Sequence, residues 1–324
     1  MLFLLKLGYL MPTYAFYQLD VFTNQPFGGN PLAVFPDANG LTDETMQRIA
    51  REMNLSETTF VFPPDKAGVD FNVRIFTPGR ELPFAGHPVV GTHWLLAHLG
   101  KVKLQEPTIR VSFSLGVGVR AATLHVQTGK VAKVVMDHQK PSFYATATTD
   151  QVTELGRSLG LAPEAILDTR LPVQAVSTGI RQLYVPVRSL GEVQALKVNN
   201  QDVAGMSRIL NAIDPVESCN NLAMVFCTET VQPDSNVHAR AFAPVDGIAE
   251  DPATGSANGG LGAYLIQHRV IPAVPGTTHI VSEQGMEMGR HSRIEIEVDG
   301  GPDDIEMVRI GGNAVLVIEG SLSW

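Results

Sequence analysis

Two glycine-led turns and three side chains hold most of the reactive chemistry in this 324-residue chain. Each turn ends in a glycine and a polar residue where a helical pattern begins: Gly86-His87 and Thr254-Gly255-Ser256. The first backbone N–H groups of a helix lack a partner within it and lie at the positive end of its dipole. Glycine keeps a Cβ out of the path of an approaching ligand. A carboxylate is a natural guest at such a place. Taken singly, each turn is better read as ordinary helix capping by His87 or Thr254. Two turns related by a repeat, facing one cleft, read as a site.

Asp251 stands four residues before Gly255, in Ala249-Glu-Asp-Pro-Ala-Thr-Gly255, and Glu57 stands in Asn54-Leu-Ser-Glu-Thr-Thr-Phe60. An acid before proline is also a common turn former, and Glu57 also reads as a solvated strand start. With His87 these are parts for proton transfer. A carboxyl desolvated in a cleft has its pKa raised towards neutrality and can give and take a proton in one turnover. An imidazole can orient it or the substrate. Other chemistries lack their parts. Ser256 sits in no Gly-x-Ser-x-Gly elbow. Phe27-Gly-Gly-Asn-Pro31 has neither the spacing nor the helix of a dinucleotide fingerprint, and there is no P-loop. Cys219 and Cys227 are the only cysteines and form no metal-ligand spacing. No metal and no cofactor are expected.

An internal repeat organises these residues. Phe76 and Pro78 recur 166 positions later as Phe242 and Pro244; Pro83, Gly86 and Gly91 recur 169 positions later as Pro252, Gly255 and Gly260. Each copy reads as strand, irregular loop and enclosed helix. The first strand is Phe71–Phe76, and the first helix runs from Pro88, at the expected first helical position, to a stop at Gly100. The second copy has a strand over Val237–Phe242 and a helix over Ala257–Ile266. Gly259, Gly260 and Gly262 each cost that helix about 1 kcal/mol against alanine, so strands are expected to press closely on it. Further strands are expected at 31–35, 59–62, 120–126, 131–136, 182–187 and 293–298, with a hairpin at 127–130 and amphipathic helices at 42–53 and 151–159. The expected fold is α+β: two pseudo-symmetric halves, each a mostly antiparallel β-barrel around a central helix, with a cleft between them. The first half is placed at 11–130, with residues 305–324 returning to complete it, and the second at 131–304.

Composition narrows the partners. A net charge of −9 argues against nucleic acid. Residues 1–10 are apolar but too short and wrongly patterned for a signal peptide or a spanning segment, and read as an extension; no membrane partner is expected. Two cysteines suit a reducing cytoplasm, with Cys227 a buried structural thiol after the apolar run Ala223–Phe226.

From about Tyr14 onward the chain resembles the PhzF-like family of phenazine biosynthesis. The likeness rests on Gln18-Leu-Asp-Val-Phe-Thr23, Phe27-Gly-Gly-Asn-Pro-Leu-Ala-Val34, Asn54-Leu-Ser-Glu-Thr-Thr-Phe-Val61, Leu82-Pro-Phe-Ala-Gly-His-Pro-Val-Val-Gly-Thr92 and Glu250-Asp-Pro-Ala-Thr-Gly-Ser-Ala257, in that order. It implies the fold of diaminopimelate epimerase, a homodimer, no cofactor and a small carboxylate substrate. It also implies an isomerase like trans-2,3-dihydro-3-hydroxyanthranilate isomerase, with Glu57 as the proton carrier. His87 and Asp251 accompany Glu57, and Gly86, Gly255 and Ser256 contact the substrate. Asn30 and Thr254, inside the matched motifs, join them. Related epimerases use two opposed thiols at the helix starts, where Ala85-Gly-His87 and Pro252-Ala-Thr-Gly255 have none. Two alternatives stay open: an epimerase or racemase using Glu57 and Asp251 in place of thiols, and a carboxylate-binding protein that has lost the reaction.

Overall fold

The computed structural model describes residues 12–197, 202–213, 222–243 and 248–324. The 1–10 extension, Cys219 and Pro244 of the repeat lie outside them. The chain opens with β1 (Thr13–Val21), β2 (Asn30–Phe35), α1 (Asp43–Met53) and β3 (Glu57–Phe62). Next come β4 (Phe71–Phe76), β5 (Glu81–Leu82), α2 (Gly86–His98), β6 (Thr108–Leu115), β7 (Gly118–Gln127) and β8 (Lys130–Asp137). The middle holds β9 (Ser142–Thr146), α3 (Thr149–Leu159), α4 (Pro163–Leu167), β10 (Gln174–Ser177), β11 (Arg181–Pro186), α5 (Leu190–Ala195) and α6 (Val203–Ile213). It ends with β12 (Ala223–Cys227), β13 (Val237–Ala243), β14 (Ile248–Asp251), α7 (Gly255–Gln267), β15 (Thr277–Gln284), β16 (Ser292–Gly301), β17 (Asp304–Gly312) and β18 (Ala314–Ser323).

The fold is α+β and rich in sheet. The ladder runs β18-β1-β2-β3-β4-β6-β7-β8, and then, through the antiparallel β8–β17 pair, β17-β16-β15-β13-β12-β11-β10-β9. The two runs match. Each has its parallel pairs in the same places, β2–β3 and β4–β6 in one, β11–β12 and β13–β15 in the other; the remaining pairs are antiparallel. The C-terminal strand β18 pairs with β1 along nine residues, in the place that β9 takes beside β10. β8 packs on α2, while β16 and β17 pack on α7.

Helices α2 and α7 have 13 residues each and are apolar on all sides, as enclosure requires. One continuous core holds Val89, Val90, Leu95 and Leu96 of α2 together with Leu261, Ala263, Tyr264 and Leu265 of α7. The other helices lie outside. α1 covers a cluster around Phe35, Phe60 and Phe76, and α3 to α6 cover another around Leu155, Val185 and Ile209. Thr42 caps α1, and Thr148 with Gln151 forms a capping box on α3. Cys227 is buried, with a thiol pKa pushed up to about 12 by desolvation, as expected of a structural cysteine.

One expectation is corrected. Helix α2 begins at Gly86, so Pro88 is its third residue and not its first. Proline is tolerated there for the same reason, since the N–H it lacks would have had no partner within the helix. The glycines of α7 do admit close neighbours. A Cβ on Gly260 would stand 2.0 Å from the Tyr184 hydroxyl, and one on Gly262 would stand 2.4 Å from Ile296 Cγ2. Tyr184 is fully buried and held by the Ala257 carbonyl, so it cannot swing aside. Gly260→Ala should therefore cost about 1–3 kcal/mol in urea unfolding. Gly191→Ala, at an exposed site in α5 with nothing within 4 Å of the added Cβ, should be neutral or stabilising by up to about 1 kcal/mol. Equal effects at the two positions would contradict this packing.

Candidate active site

Helices α2 and α7 meet head to head. A Cβ on Gly86 would stand 3.1 Å from the Gly255 Cα and 3.1 Å from the Ser256 nitrogen, and one on Gly255 would stand 3.3 Å from the Gly86 Cα. These glycines thus let two backbones touch, a stronger demand than room for a ligand. Neither helix start is capped by a side chain. The capping reading is thereby excluded: Thr254 Oγ1 donates instead to Asp251 Oδ2, at 2.5 Å. Two positive helix ends, of about half a charge each, therefore converge with their N–H groups uncapped by side chains. At an effective dielectric constant of about 20 they repel by on the order of 1 kcal/mol. An anion between them removes that cost.

Glu57, Gly86, His87, Asp251, Thr254, Gly255 and Ser256 line one cavity of about 100 Å³ at this junction. Asn30 does not line it but holds it together, donating from Nδ2 to Asp251 Oδ1 (2.8 Å) and to the Ala253 carbonyl (2.9 Å). Ser56, beside Glu57, donates to Asn30 Oδ1 at 3.2 Å. A continuous polar path thus joins the Glu57 segment to Asp251.

Glu57 begins β3, as a solvated strand start would, yet its side chain is only 14% exposed and Oε2 is fully buried without a hydrogen-bond partner. His87 Nε2 lies 3.4 Å from that oxygen and also lacks a hydrogen bond. Burial first, and the nearby Asp251 carboxylate second, push the Glu57 pKa up to about 8. Burial drops His87 to about 3, so its imidazole stays neutral. Asp251 is also raised, by burial and by Glu250, against the lowering hydrogen bonds from Thr254 and Asn30.

The pseudo-symmetry gives every one of these positions a counterpart. Phe76 matches Phe242, so the registers Ile75–Leu82 and Ala241–Asp251 make Leu82 the counterpart of Asp251. The registers Thr58–Phe76 and Ala223–Phe242 make Leu222 the counterpart of Glu57. One strand further, Ala33–Thr58 and Leu183–Ala223 make Ile180 the counterpart of Asn30. Ala85 corresponds to Thr254. Leu82, Leu222, Ile180 and Ala85 line the same cavity, with Phe84, Ala243 and Ile248. Asn30, Glu57, Asp251 and Thr254 thus have apolar images, whereas the image of His87 is the polar Ser256, 169 positions on.

Several site residues were not legible as such in the sequence. Gln284 closes β15 and donates from Nε2 to the Asp251 carbonyl (2.7 Å) and Thr254 Oγ1 (3.0 Å). Its Oε1 accepts from the Thr254 N–H and from Asn258 Nδ2. Gln182 donates to Ser256 Oγ at 3.2 Å. Asn258 did leave a signal: an asparagine within an otherwise apolar, enclosed helix must have a partner. Gln182 left none, because the alternation of a strand does not tell what any one side chain meets, and Gln284 left none, because 277–284 carries no pattern from which a strand is expected.

The chain matches the family model PhzC-PhzF, phenazine biosynthesis-like protein, over residues 19–320. It is 34% identical to an uncharacterized isomerase of Clostridium acetobutylicum over 95% of this chain and 98% of the relative. It is 33% identical to the trans-2,3-dihydro-3-hydroxyanthranilate isomerase of Pseudomonas aeruginosa over 93% of this chain and 96% of that one. A crystal structure of a PhzF-family phenazine biosynthesis protein from Bacillus anthracis superposes with a TM-score of 0.84 at 30% identity, covering 96% of this chain and 99% of that one. A hydroxyproline epimerase from Agrobacterium vitis shares the fold alone, with a TM-score of 0.62 at 13% identity over 96% of this chain and 92% of that one. The chain belongs to the phenazine biosynthesis-like family, whose members here are named as isomerases.

A buried acid with a raised pKa has a consequence for stability. Between about pH 4.5, where the unfolded chain releases this proton, and about pH 8, where the folded chain does, only the folded state holds it. Stability therefore falls as pH rises through that window, at up to about 1.4 kcal/mol per unit. Glu57→Gln keeps the neutral form at every pH. It should raise the melting temperature by several degrees at pH 9 and leave it nearly unchanged at pH 4. The same change at both values would contradict the burial of an ionisable Glu57.

Proposed function

We propose that this chain is a cofactor-independent isomerase that moves one proton between carbons of a small cyclic or conjugated carboxylic acid, with Glu57 as the single acid and base. The observation that carries it is the one-sided placing of the carboxyls: Glu57 and Asp251 line the cavity, and their images across the pseudo-axis are Leu222 and Leu82.

The substrate carboxylate sits at the two helix starts, where it accepts from the N–H groups around Gly86 and Gly255 and from the Ser256 hydroxyl. That anchoring sets the conjugated system under Glu57. With a pKa of about 8, roughly a tenth of Glu57 is ionised at pH 7, so both forms are populated. The carboxylate takes a proton from an sp³ carbon, and the electron pair left behind spreads into the conjugated system. The protonated Glu57, its proton exchanging with solvent, then delivers one to another carbon on the same face, so the double bond moves and nothing is gained or lost overall. Neutral His87, 3.4 Å from Glu57 Oε2, orients the carboxyl without competing for its proton. Asp251, held by Asn30 and Thr254, supports the transfer from the same wall.

Epimerisation is disfavoured by the same feature. Inverting a centre needs one group to remove a proton and another to deliver it to the opposite face. Opposite Glu57 and Asp251 stand Leu222 and Leu82, and the two acids are joined on their own side through Ser56 and Asn30. A silent binding protein has no need for a carboxyl whose burial costs stability across neutral pH.

We place the enzyme in the cytoplasm, where a buried free thiol such as Cys227 persists. Among the described residues no helix is long and apolar enough to cross a membrane. We take the working unit to be a homodimer, with the halves dividing after β8 (Lys130–Asp137), beyond the boundary that the sequence places at residue 130. Sedimentation equilibrium should give twice the chain mass; a monomer at micromolar concentration would contradict that assembly. The reaction itself is tested with trans-2,3-dihydro-3-hydroxyanthranilate, the acid named for the Pseudomonas relative, as trial substrate in D₂O. Isomerisation with deuterium uptake is expected, falling roughly 100-fold to 10,000-fold in Glu57→Gln with melting behaviour intact. Undiminished turnover in that variant would remove Glu57 from the reaction.

A further inference from the structure

Behind the Asp251 wall lies a buried ionic cluster whose residues are not among those lining the cavity. Arg240 on β13 makes a bidentate pair with Glu250 on β14, Nε to Oε1 at 2.8 Å and Nη2 to Oε2 at 2.8 Å. Its Nη1 donates to the carbonyls of Val193 and Leu196. Both side chains are under a tenth exposed. Glu287 Oε2 stands 3.8 Å from Arg240 Nε, and Glu287 Oε1 meets His238 Nε2 at 3.0 Å; His238 Nδ1 in turn meets Glu283 at 2.8 Å. The cluster begins and ends beside the site in sequence, since Glu250 precedes Asp251 and Glu283 precedes Gln284.

The other half of the molecule holds the same device. Arg74 on β4 grips Glu81 on β5 through Nε (2.7 Å) and Nη2 (2.6 Å). Arg74 lies 5.2 Å from the Phe76 ring, as Arg240 lies 5.0 Å from that of Phe242. Both pairs obey the offsets of the repeat, 166 for the arginines and 169 for the glutamates. In each half the pair staples the short strand that leads into the helix start. Two things differ. Glu81 is 41% exposed, with Asp43 sharing Arg74, whereas Glu250 is 6% exposed. Glu81 precedes Leu82, whereas Glu250 precedes Asp251.

A structural staple works as well in solvent, as Arg74–Glu81 does, and burying ions is costly. Burial adds one thing, an unscreened field at the neighbouring carboxyl. We propose that Arg240–Glu250 is a positioning pair for the chemistry of the cavity, fixing Asp251 in place and in charge state, while Arg74–Glu81 is its purely structural twin. The proposal rests on the proton-transfer function proposed above. The groups that Asp251 meets from the surrounding elements are Asn30 on β2, Glu57 on β3, Thr254 at the start of α7 and Gln284 on β15. Of these only Glu57 titrates; Glu250, on its own strand, adds negative charge from behind.

The twin supplies the control. Protein with ¹³C-labelled aspartate, its Asp251 signal assigned by comparison with Asp251→Asn, is titrated by NMR as wild type, Glu250→Gln and Glu81→Gln. Removing the negative charge behind Asp251 should lower its titration midpoint in Glu250→Gln and leave it unmoved in Glu81→Gln. Because no substrate is used, this outcome is independent of whether trans-2,3-dihydro-3-hydroxyanthranilate is turned over. If it is turned over, the matching limb of the pH–kcat profile should move with the midpoint. An Asp251 midpoint unchanged in Glu250→Gln, or shifted equally by Glu81→Gln, overturns the proposal. Should Glu250→Gln fail to fold, the double variant Arg240→Met with Glu250→Leu replaces the ion pair by apolar side chains, a change proteins often accept. An Asp251 midpoint equal to that of wild type in that variant also overturns it.

Discussion

Two helix N-termini meeting nose to nose set the terms for the rest of the molecule. The contact between Gly86 and Gly255 is so close that a Cβ on either would push on the facing backbone, and it brings together two positive ends whose first N–H groups have no side-chain cap. Such a junction is costly unless something negative occupies it. It also needs rigid support. Each helix is therefore sunk in its own set of strands, with Gly260 and Gly262 giving way to Tyr184 and Ile296 so that α7 is gripped along its length. The β8–β17 ladder joins the two sets of strands.

The same symmetry that builds the junction makes its asymmetry informative. A duplicated unit would by default give a cavity with two alike walls, and the backbone still does. The side chains do not follow. Asn30, Glu57, Asp251, Thr254, Asn258 and Gln284 have Ile180, Leu222, Leu82, Ala85, Val89 and Leu115 as their counterparts. The polar members sustain one another, since Gln284 alone serves Asp251, Thr254 and Asn258. A network of this kind is stable only when nearly complete. Gathering both carboxyls with their partners into one network avoids the intermediate condition of two half-satisfied ones. Inverting a centre needs groups on both faces; a proton carrier working on one face does not.

Much of this was legible in the sequence. The repeat offsets imply two matching halves and two enclosed helices, and the motifs around Gly86, Gly255, Glu57 and Asp251 hold residues that the fold brings to one cavity. What escaped had physical reasons. The start of α2 was placed at Pro88 because proline is commonest at the first helical position, whereas the helix is set by its contact with Gly255. Glu57 looked like a solvated strand start because burial arises from the facing half, far away in sequence. Arg74, Glu81, Arg240 and Glu250 obey the repeat but are residue types common on any surface, and only coordinates tell the buried pair from the exposed one. Gln284 is a single polar residue at a strand end, given meaning by a loop 30 positions earlier.

The most direct test of a one-walled proton transfer is its stereochemical course. The product formed by the wild-type enzyme from trans-2,3-dihydro-3-hydroxyanthranilate in D₂O is analysed by NMR for the configuration at the carbon that receives deuterium. A single diastereomer is expected, with deuterium on the face from which the proton left. Deuterium distributed over both faces, or delivered to the opposite one, would contradict a cavity whose chemistry resides on the Glu57 side alone.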